Sequence, residues 1–216
     1  MVNSISEILA RLIVLFTAIT VHEYSHGYVA YKLGDPTAKY SGRLSINPMK
    51  HLDMWGALCM VLFGFGWAKP VPINPMYFRD RKRDTALVSF AGPLSNIVLA
   101  FASTVIAALY FVFIANIYPN FITRFILQLF VQLAVVNIGF AVFNLIPIPP
   151  LDGSKILAMF LSNENHTKLM NLEHFGFPIL MVLSLTGVLG RILGIFINPL
   201  YSAWDNLFGW LVSILI

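Results

Sequence analysis

Long apolar runs, separated by short polar segments that often contain proline, dominate the pattern of this chain. A membrane-crossing helix needs about 20 mainly apolar residues. Runs of this kind cover residues 5–33, 85–114, 123–146, 176–197 and 200–216, the last being the shortest. Gly34 follows the first run and is a plausible helix stop. The pattern therefore predicts an all-α polytopic membrane protein with about five transmembrane helices.

A further apolar run, residues 54–68, is too short for a full crossing. It has only about 15 residues and contains Gly56, Gly64 and Gly66. Non-helical backbone at membrane depth is tolerated only against protein or a water-filled cavity. We therefore predict a re-entrant or β-hairpin-like segment here, with both of its ends on one side of the membrane.

Composition and charge support a membrane protein and exclude a soluble globular one. Of the 216 residues, 58% are hydrophobic and 11% are charged. The net charge of +4 comes from basic residues in the loops, chiefly residues 32–50 and 79–84. Positively charged loops lie in the cytoplasm, so this pattern predicts a multi-pass protein of the plasma membrane. Because the basic residues are accounted for in this way, the net charge gives no reason to expect nucleic acid as a partner. The first run leads directly into a polar motif, which favours a retained span over a cleaved signal peptide.

That motif is His22-Glu23-Tyr24-Ser25-His26, or H-E-x-x-H. On a helix, positions four apart lie on one face, so both imidazoles would point to one spot, as two zinc ligands would. Glu23 would lie beside that spot and accept a proton from water. Ionisable groups within an apolar span cost about 2.5–3.5 kcal/mol for a charge at the helix centre. The alternative is that both histidines serve a structural role at a helix end.

A catalytic zinc ion requires a third protein ligand. The metzincin extension is absent, since Val29 and Lys32 occupy its positions, and no glutamate occurs between Glu23 and Glu164. Asp152 is the best candidate, because it follows a proline-rich segment that cannot be helical. We expect it on unwound backbone near the cytoplasmic end; the alternative is that it caps a helix starting after Gly153.

The second long span contains Gly92, Pro93 and Asn96. Glycine and proline there would bend or thin the helix, so that a neighbouring helix can approach closely. Asn96 would either hydrogen-bond to another helix or face the catalytic cavity.

With the second motif, N-x-x-P-x-P-x-L-D-G, the chain resembles the site-2 protease family of intramembrane zinc metalloproteases. The positions that match this motif are Asn144, Pro147, Pro149, Leu151, Asp152 and Gly153. Residues 43–48 and 66–72 also resemble compact prokaryotic members.

The resemblance implies that His22, His26 and Asp152 bind one Zn²⁺ and that Glu23 is the catalytic glutamate. It also implies that Asn144 holds the substrate backbone or the oxyanion. In some relatives an edge strand pairs with the unwound substrate, a role that would fall to Phe65, Gly66 and Trp67. Pro147 and Pro149 would shape the backbone near the site.

The predicted function is hydrolysis of peptide bonds in or near the transmembrane segments of single-span membrane proteins, as in regulated intramembrane proteolysis. We expect one membrane-embedded domain over residues 1–216 without a PDZ or other appended domain, and no particular oligomeric state is indicated. The alternatives are a metal-binding scaffold, a transporter, or an inactive relative that acts as an adaptor. A transporter is expected to contain related halves, and the sequence contains none.

Overall fold

The computed structural model describes residues 5–56 and 68–216, and its regular elements over these ranges are helices. In chain order the α-helices are α1 (Ile5–Lys32), α2 (Thr37–Tyr40), α3 (Arg81–Tyr110), α4 (Phe121–Asn144), α5 (Asp152–Met159), α6 (Asn163–Asn171), α7 (Glu173–Leu185) and α8 (Val188–Leu215). Single 3₁₀ turns occur at Pro48–Lys50 and Pro75–Tyr77, and a π-helical turn at Phe111–Ala115 continues α3. No β-strand occurs in the described ranges.

Within residues 5–56 and 68–216, three helices are long and apolar enough to cross a membrane, namely α1, α4, and α3 with its π-helical turn. They correspond to the predicted spans 5–33, 123–146 and 85–114. The chain is therefore a multi-pass membrane protein with an all-helical fold. A fourth crossing is added if α7 and α8, which meet at an angle of 81°, are counted together as one span.

The helix boundaries near the C-terminus differ from those predicted. The predicted runs 176–197 and 200–216 place a break at residues 198–199, whereas the break lies between Leu185 and Val188. Gly187 has φ 73°, a left-handed conformation that glycine adopts without steric cost. Pro199, by contrast, lies inside α8, which is consistent with the tolerance of transmembrane helices for proline.

The chain forms two compact units. The first combines Met1–Ala18, Asn96–Phe143 and Ile179–Ile216. Its buried Asn96 donates from Nδ2 to Asn137 Oδ1 at 2.6 Å and to the carbonyl oxygen of Ala18 at 3.2 Å. The predicted hydrogen bonding of Asn96 between helices is therefore present, and it joins α3 to α1 and α4 inside this unit.

The second unit combines Ile19–Ser95 with Asn144–Pro178 and contains both sequence motifs. A cluster of buried side chains, Ala30, Phe78 and Val88, packs the end of α1 against the start of α3. Leu52 forms an isolated antiparallel bridge with Ala68, so these two residues lie side by side. Most of the predicted re-entrant segment 54–68 lies outside the described residues, as do Phe65, Gly66 and Trp67.

Candidate metal centre and active site

Two histidines of α1 and one aspartate of α5 converge on one point in the second unit. The Oδ2 atom of Asp152 lies 3.1 Å from Nε2 of His22 and 3.2 Å from Nε2 of His26. The two Nε2 atoms are 3.0 Å apart, and all three residues are buried. Among the described residues, this is the group of histidine, cysteine and acidic side chains whose geometry could hold a metal ion.

A backbone contact orients the His26 ring. Its Nδ1 lies 2.7 Å from the carbonyl oxygen of Val88, which can only accept a hydrogen bond. Nδ1 must therefore carry the proton, and in the neutral ring Nε2 presents its lone pair to the convergence point. Metal-ligating histidines are commonly oriented in this way by a carbonyl or carboxylate partner.

The donor set fits a zinc ion. Burial raises the pKa of Asp152, whereas a protonated imidazole beside it lowers the pKa by more, so the net shift for this carboxyl group is downward. Its Oδ2 is buried, and its polar neighbours are the two imidazole Nε2 atoms at 3.1 and 3.2 Å. Two imidazole nitrogens and one such oxygen make the three-ligand set of a catalytic zinc site, which leaves a fourth position open.

Asp152 lies at the start of a helix. The sequence predicts unwound backbone at Asp152, but this residue is the first of α5, and the unwound segment ends at Leu151, the N-cap. No side-chain capping hydrogen bond forms at this helix start, so the alternative in which Asp152 serves as a cap is wrong. A carboxylate in the first turn of a helix also interacts favourably with the helix dipole.

Glycines allow the close approaches around this centre. A Cβ at Gly92 would lie 2.4 Å from His26 Nε2 and 2.6 Å from His22 Cε1, so the space beside the imidazoles excludes any side chain there. The neighbouring Pro93 is fully buried inside α3. At Gly153 a Cβ would lie 2.1 Å from the carbonyl oxygen of Leu145, which requires glycine in the turn that delivers Asp152.

A cavity of about 150 Å³ opens beside the three side chains. Its lining residues are His22, Glu23, His26, Pro70, Val71, Ile73, Ser89, Asn144, Pro150, Leu151, Asp152 and Lys155. Pro147 and Pro149 do not line it. The carbonyl group of Pro149 packs on Gly176, where a Cβ would come within 2.3 Å of the oxygen. Asn96 belongs to the other unit and its amide is used between helices.

Glu23 is held by a contact that the sequence analysis missed. The backbone N–H of Val71 donates to Glu23 Oε2 at 2.8 Å. Val71 lies between Pro70 and Pro72, and since proline has no N–H, it offers the sole amide donor of that tripeptide. The Pro-Val-Pro pattern was the one available signal, and it does not identify the acceptor.

Comparisons with known proteins find similarity to zinc metalloproteases. The family model described as peptidase family M50 matches residues 112–186, which include the Asn144–Gly153 motif. YwhC of Bacillus subtilis, a proposed zinc metalloprotease, is 39% identical over 177 residues, covering 81% of this chain and 80% of that protein. Rip2 of Mycolicibacterium smegmatis, also a proposed zinc metalloprotease, is 29% identical over 81% of this chain and 66% of its own length.

A more distant relative is the zinc metalloprotease MJ0392 of Methanocaldococcus jannaschii, 26% identical over 70% of this chain and 34% of its own length. No solved structure matches the chain. The apolar helices, the histidine–histidine–aspartate centre and the extensive identity to YwhC lead to one conclusion. The chain belongs to peptidase family M50, the site-2 protease family of intramembrane zinc metalloproteases.

Proposed function

We propose that His22, His26 and Asp152 hold one Zn²⁺ and that Glu23 is the proton-transfer group for hydrolysis of a peptide bond in or near a substrate's transmembrane segment. The observation that carries this assignment is the approach of Asp152 Oδ2 to both imidazole Nε2 atoms, at 3.1 and 3.2 Å. A zinc ion in such a site supplies Lewis acidity and lowers the pKa of water to about 7.

The chain's own groups supply the proton transfer and the positioning. Glu23 accepts the proton of the attacking water and delivers it to the leaving amine. Its Oε2 is held by the Val71 amide, and we assign proton transfer to the other carboxylate oxygen. To Asn144, on the wall of the same cavity, we assign donation of a hydrogen bond to the substrate carbonyl as negative charge develops on its oxygen.

The substrates we propose are single-span membrane proteins that unwind locally at the cleavage position. A helical peptide bond is shielded by its own hydrogen bonds, and an added strand at a free edge would stabilise the unwound form. Phe65, Gly66 and Trp67 are our candidates for that edge. The antiparallel bridge of Leu52 with Ala68 supports a segment that enters the membrane and returns on the same side.

The finer membrane arrangement is also a proposal. We propose one membrane-embedded domain over residues 1–216 in the plasma membrane, with the active site nearer the cytoplasm, where the basic loops lie. The apolar runs of the sequence predict about five crossings, whereas four result if the bent pair of α7 and α8 is one span. Reporters fused to each terminus distinguish the two, since five crossings place the termini on opposite sides.

Reconstitution tests the proposed function directly. The purified chain in proteoliposomes is combined with a single-span membrane protein, and cleavage is measured together with bound zinc. Cleavage that a zinc chelator stops and added zinc restores supports the proposal. A chain that binds zinc and cleaves none of a panel of such substrates would support the scaffold instead.

A further inference from the structure

Residues 68–74, here called the strap, run past Glu23 and hold it by one hydrogen bond. The donor is the N–H of Val71, 2.8 Å from Glu23 Oε2. The Val71 side chain also packs closely on α1, since a Cβ at Gly27, one turn beyond Glu23, would lie 3.1 Å from Val71 Cγ1. The position of the Glu23 carboxylate therefore depends on the position of the strap.

A buried arginine binds the strap on the other side of the same peptide group. Arg43 Nη2 donates to the carbonyl oxygens of Lys69, at 2.6 Å, and Pro70, at 3.2 Å. The carbonyl of Pro70 and the N–H of Val71 belong to one planar peptide unit. That unit thus accepts a hydrogen bond from a guanidinium at its oxygen and donates one to a carboxylate from its nitrogen.

Two further contacts fix the ends of the strap without involving the guanidinium. The N–H of Lys69 donates to the carbonyl oxygen of His51 at 2.9 Å. The N–H of Asn74 donates to Asp35 Oδ2 at 2.7 Å. Loss of the Arg43 side chain should therefore leave the strap attached at both ends while freeing the Pro70–Val71 peptide group between them.

The burial of Arg43 is costly, which favours a specific use. The residue is only 8% exposed, and it forms no ion pair with the described residues. Its Nε is buried and makes no hydrogen bond with them. A buried charge without an opposite charge, and a buried unpaired donor, each cost free energy. Hydrogen bonds in series polarise one another, so a guanidinium on the carbonyl strengthens the N–H as a donor.

We propose that Arg43 is a positioning residue for Glu23 and acts through the Pro70–Val71 peptide group. The guanidinium fixes the plane of that peptide, the Val71 amide fixes Oε2, and the carboxylate is thereby aimed into the cavity that holds the candidate metal ligands. This inference rests on the proposed function of Glu23, and it assigns a role in proteolysis to a residue that is not a metal ligand.

The test compares Arg43→Gln and Arg43→Lys with Lys50→Gln, a control that removes an exposed cation from the same basic loop. All are purified in the zinc-loaded form. Hydrogen–deuterium exchange of the strap amides is measured by mass spectrometry, along with bound zinc, kcat and KM for a membrane-protein substrate. Exchange needs no substrate, so it is informative even if the proposed proteolysis is wrong.

For Arg43→Gln we expect faster exchange in the strap, unchanged zinc content and KM within about twofold of wild type. The expected fall in kcat is roughly 10–100-fold, the scale for small misplacements of a catalytic group. In both strap exchange and kcat, Arg43→Lys should lie between Arg43→Gln and wild type, because an ammonium group keeps the charge but lacks the planar guanidinium fork. It also provides the comparison if the glutamine variant does not fold. Lys50→Gln should match wild type in every measurement.

Strap exchange that is as slow in the Arg43 variants as in wild type overturns the inference, whatever the activity. Zinc loss in proportion to the loss of kcat also overturns it, because Arg43 would then support the whole site and not Glu23. Absence of cleavage by wild type with altered exchange in the variants would instead contradict the proposed function and leave Arg43 as the anchor of the strap.

Discussion

Asp152 Oδ2 lies 3.1 Å from His22 Nε2, although the two residues belong to helices far apart in the sequence. The first stands at the start of α5, immediately after a proline-rich turn. The second lies inside the long apolar helix α1. A buried carboxylate brought this close to two imidazoles is expensive unless its charge is compensated, and a divalent cation would compensate it.

Replacing Glu23 by glutamine should abolish cleavage and leave zinc bound. An amide keeps the shape and the contact with the Val71 amide but cannot accept the proton, which should cost about 10²–10⁴-fold in rate. Zinc content by mass spectrometry and cleavage of a reconstituted substrate check this. Glu173→Gln, at an exposed position, is the control. Undiminished cleavage by Glu23→Gln would show that another group transfers the proton.

Replacing Asp152 by alanine should release zinc. Only two imidazole ligands remain in this variant. Loss of a residue that merely hydrogen-bonds to a metal ligand lowers metal affinity roughly 10–100-fold, so loss of the ligand Asp152 itself should lower zinc affinity by more. The measurement is competition for zinc with a chelator of known affinity. Asp205→Asn, which alters an exposed aspartate of the first unit, should bind zinc as wild type does. Retention of zinc by Asp152→Ala would require a different third ligand.

A methyl group at position 92 should inactivate the site without touching a ligand. The added Cβ would stand 2.4 Å from His26 Nε2, so an imidazole must move, and we expect loss of zinc and of cleavage. Gly209→Ala is the matched control, since nothing lies within 4 Å of its added Cβ and helical alanine stabilises by about 0.5–1 kcal/mol. Wild-type zinc affinity in Gly92→Ala would mean that α3 can withdraw from α1.

Asn96→Ala should destabilise the first unit. The fully buried amide joins three helices through Asn137 and Ala18, and hydrogen bonds between transmembrane helices contribute roughly 0.6–2 kcal/mol each. Unfolding in detergent should therefore occur at a lower denaturant concentration. Asn163→Ala, on an exposed helix, should have little effect. Equal stability of the two variants would show that Asn137 finds another partner.

Much of the site follows from local rules that a sequence displays. Helical spacing predicts that His22 and His26 share a face, and a charge after a run of prolines identifies Asp152 as a group that needs a partner. The close approach of a neighbouring helix at Gly92 also follows from residue size, because glycine has no side chain. These features depend on side-chain type and on spacing within one element.

The features that were missed depend on backbone contacts between distant segments. The Val71 amide that holds Glu23 leaves no side-chain signal, and Arg43 looked like one of several loop cations because the sequence does not show its burial. The C-terminal break was misplaced for another reason. Gly187 and Pro199 both interrupt helices, and only tertiary structure decides which of them does so here.

The left-handed Gly187 also reconciles the length of the C-terminal region with the thickness of a bilayer. A straight helix over residues 173–215 would be about 65 Å long at 1.5 Å per residue, roughly twice the ~30 Å of a hydrocarbon core. The 81° corner divides that length between two directions. Because any side chain at this position would disfavour the left-handed φ, the corner between the two helices depends on one residue without a Cβ.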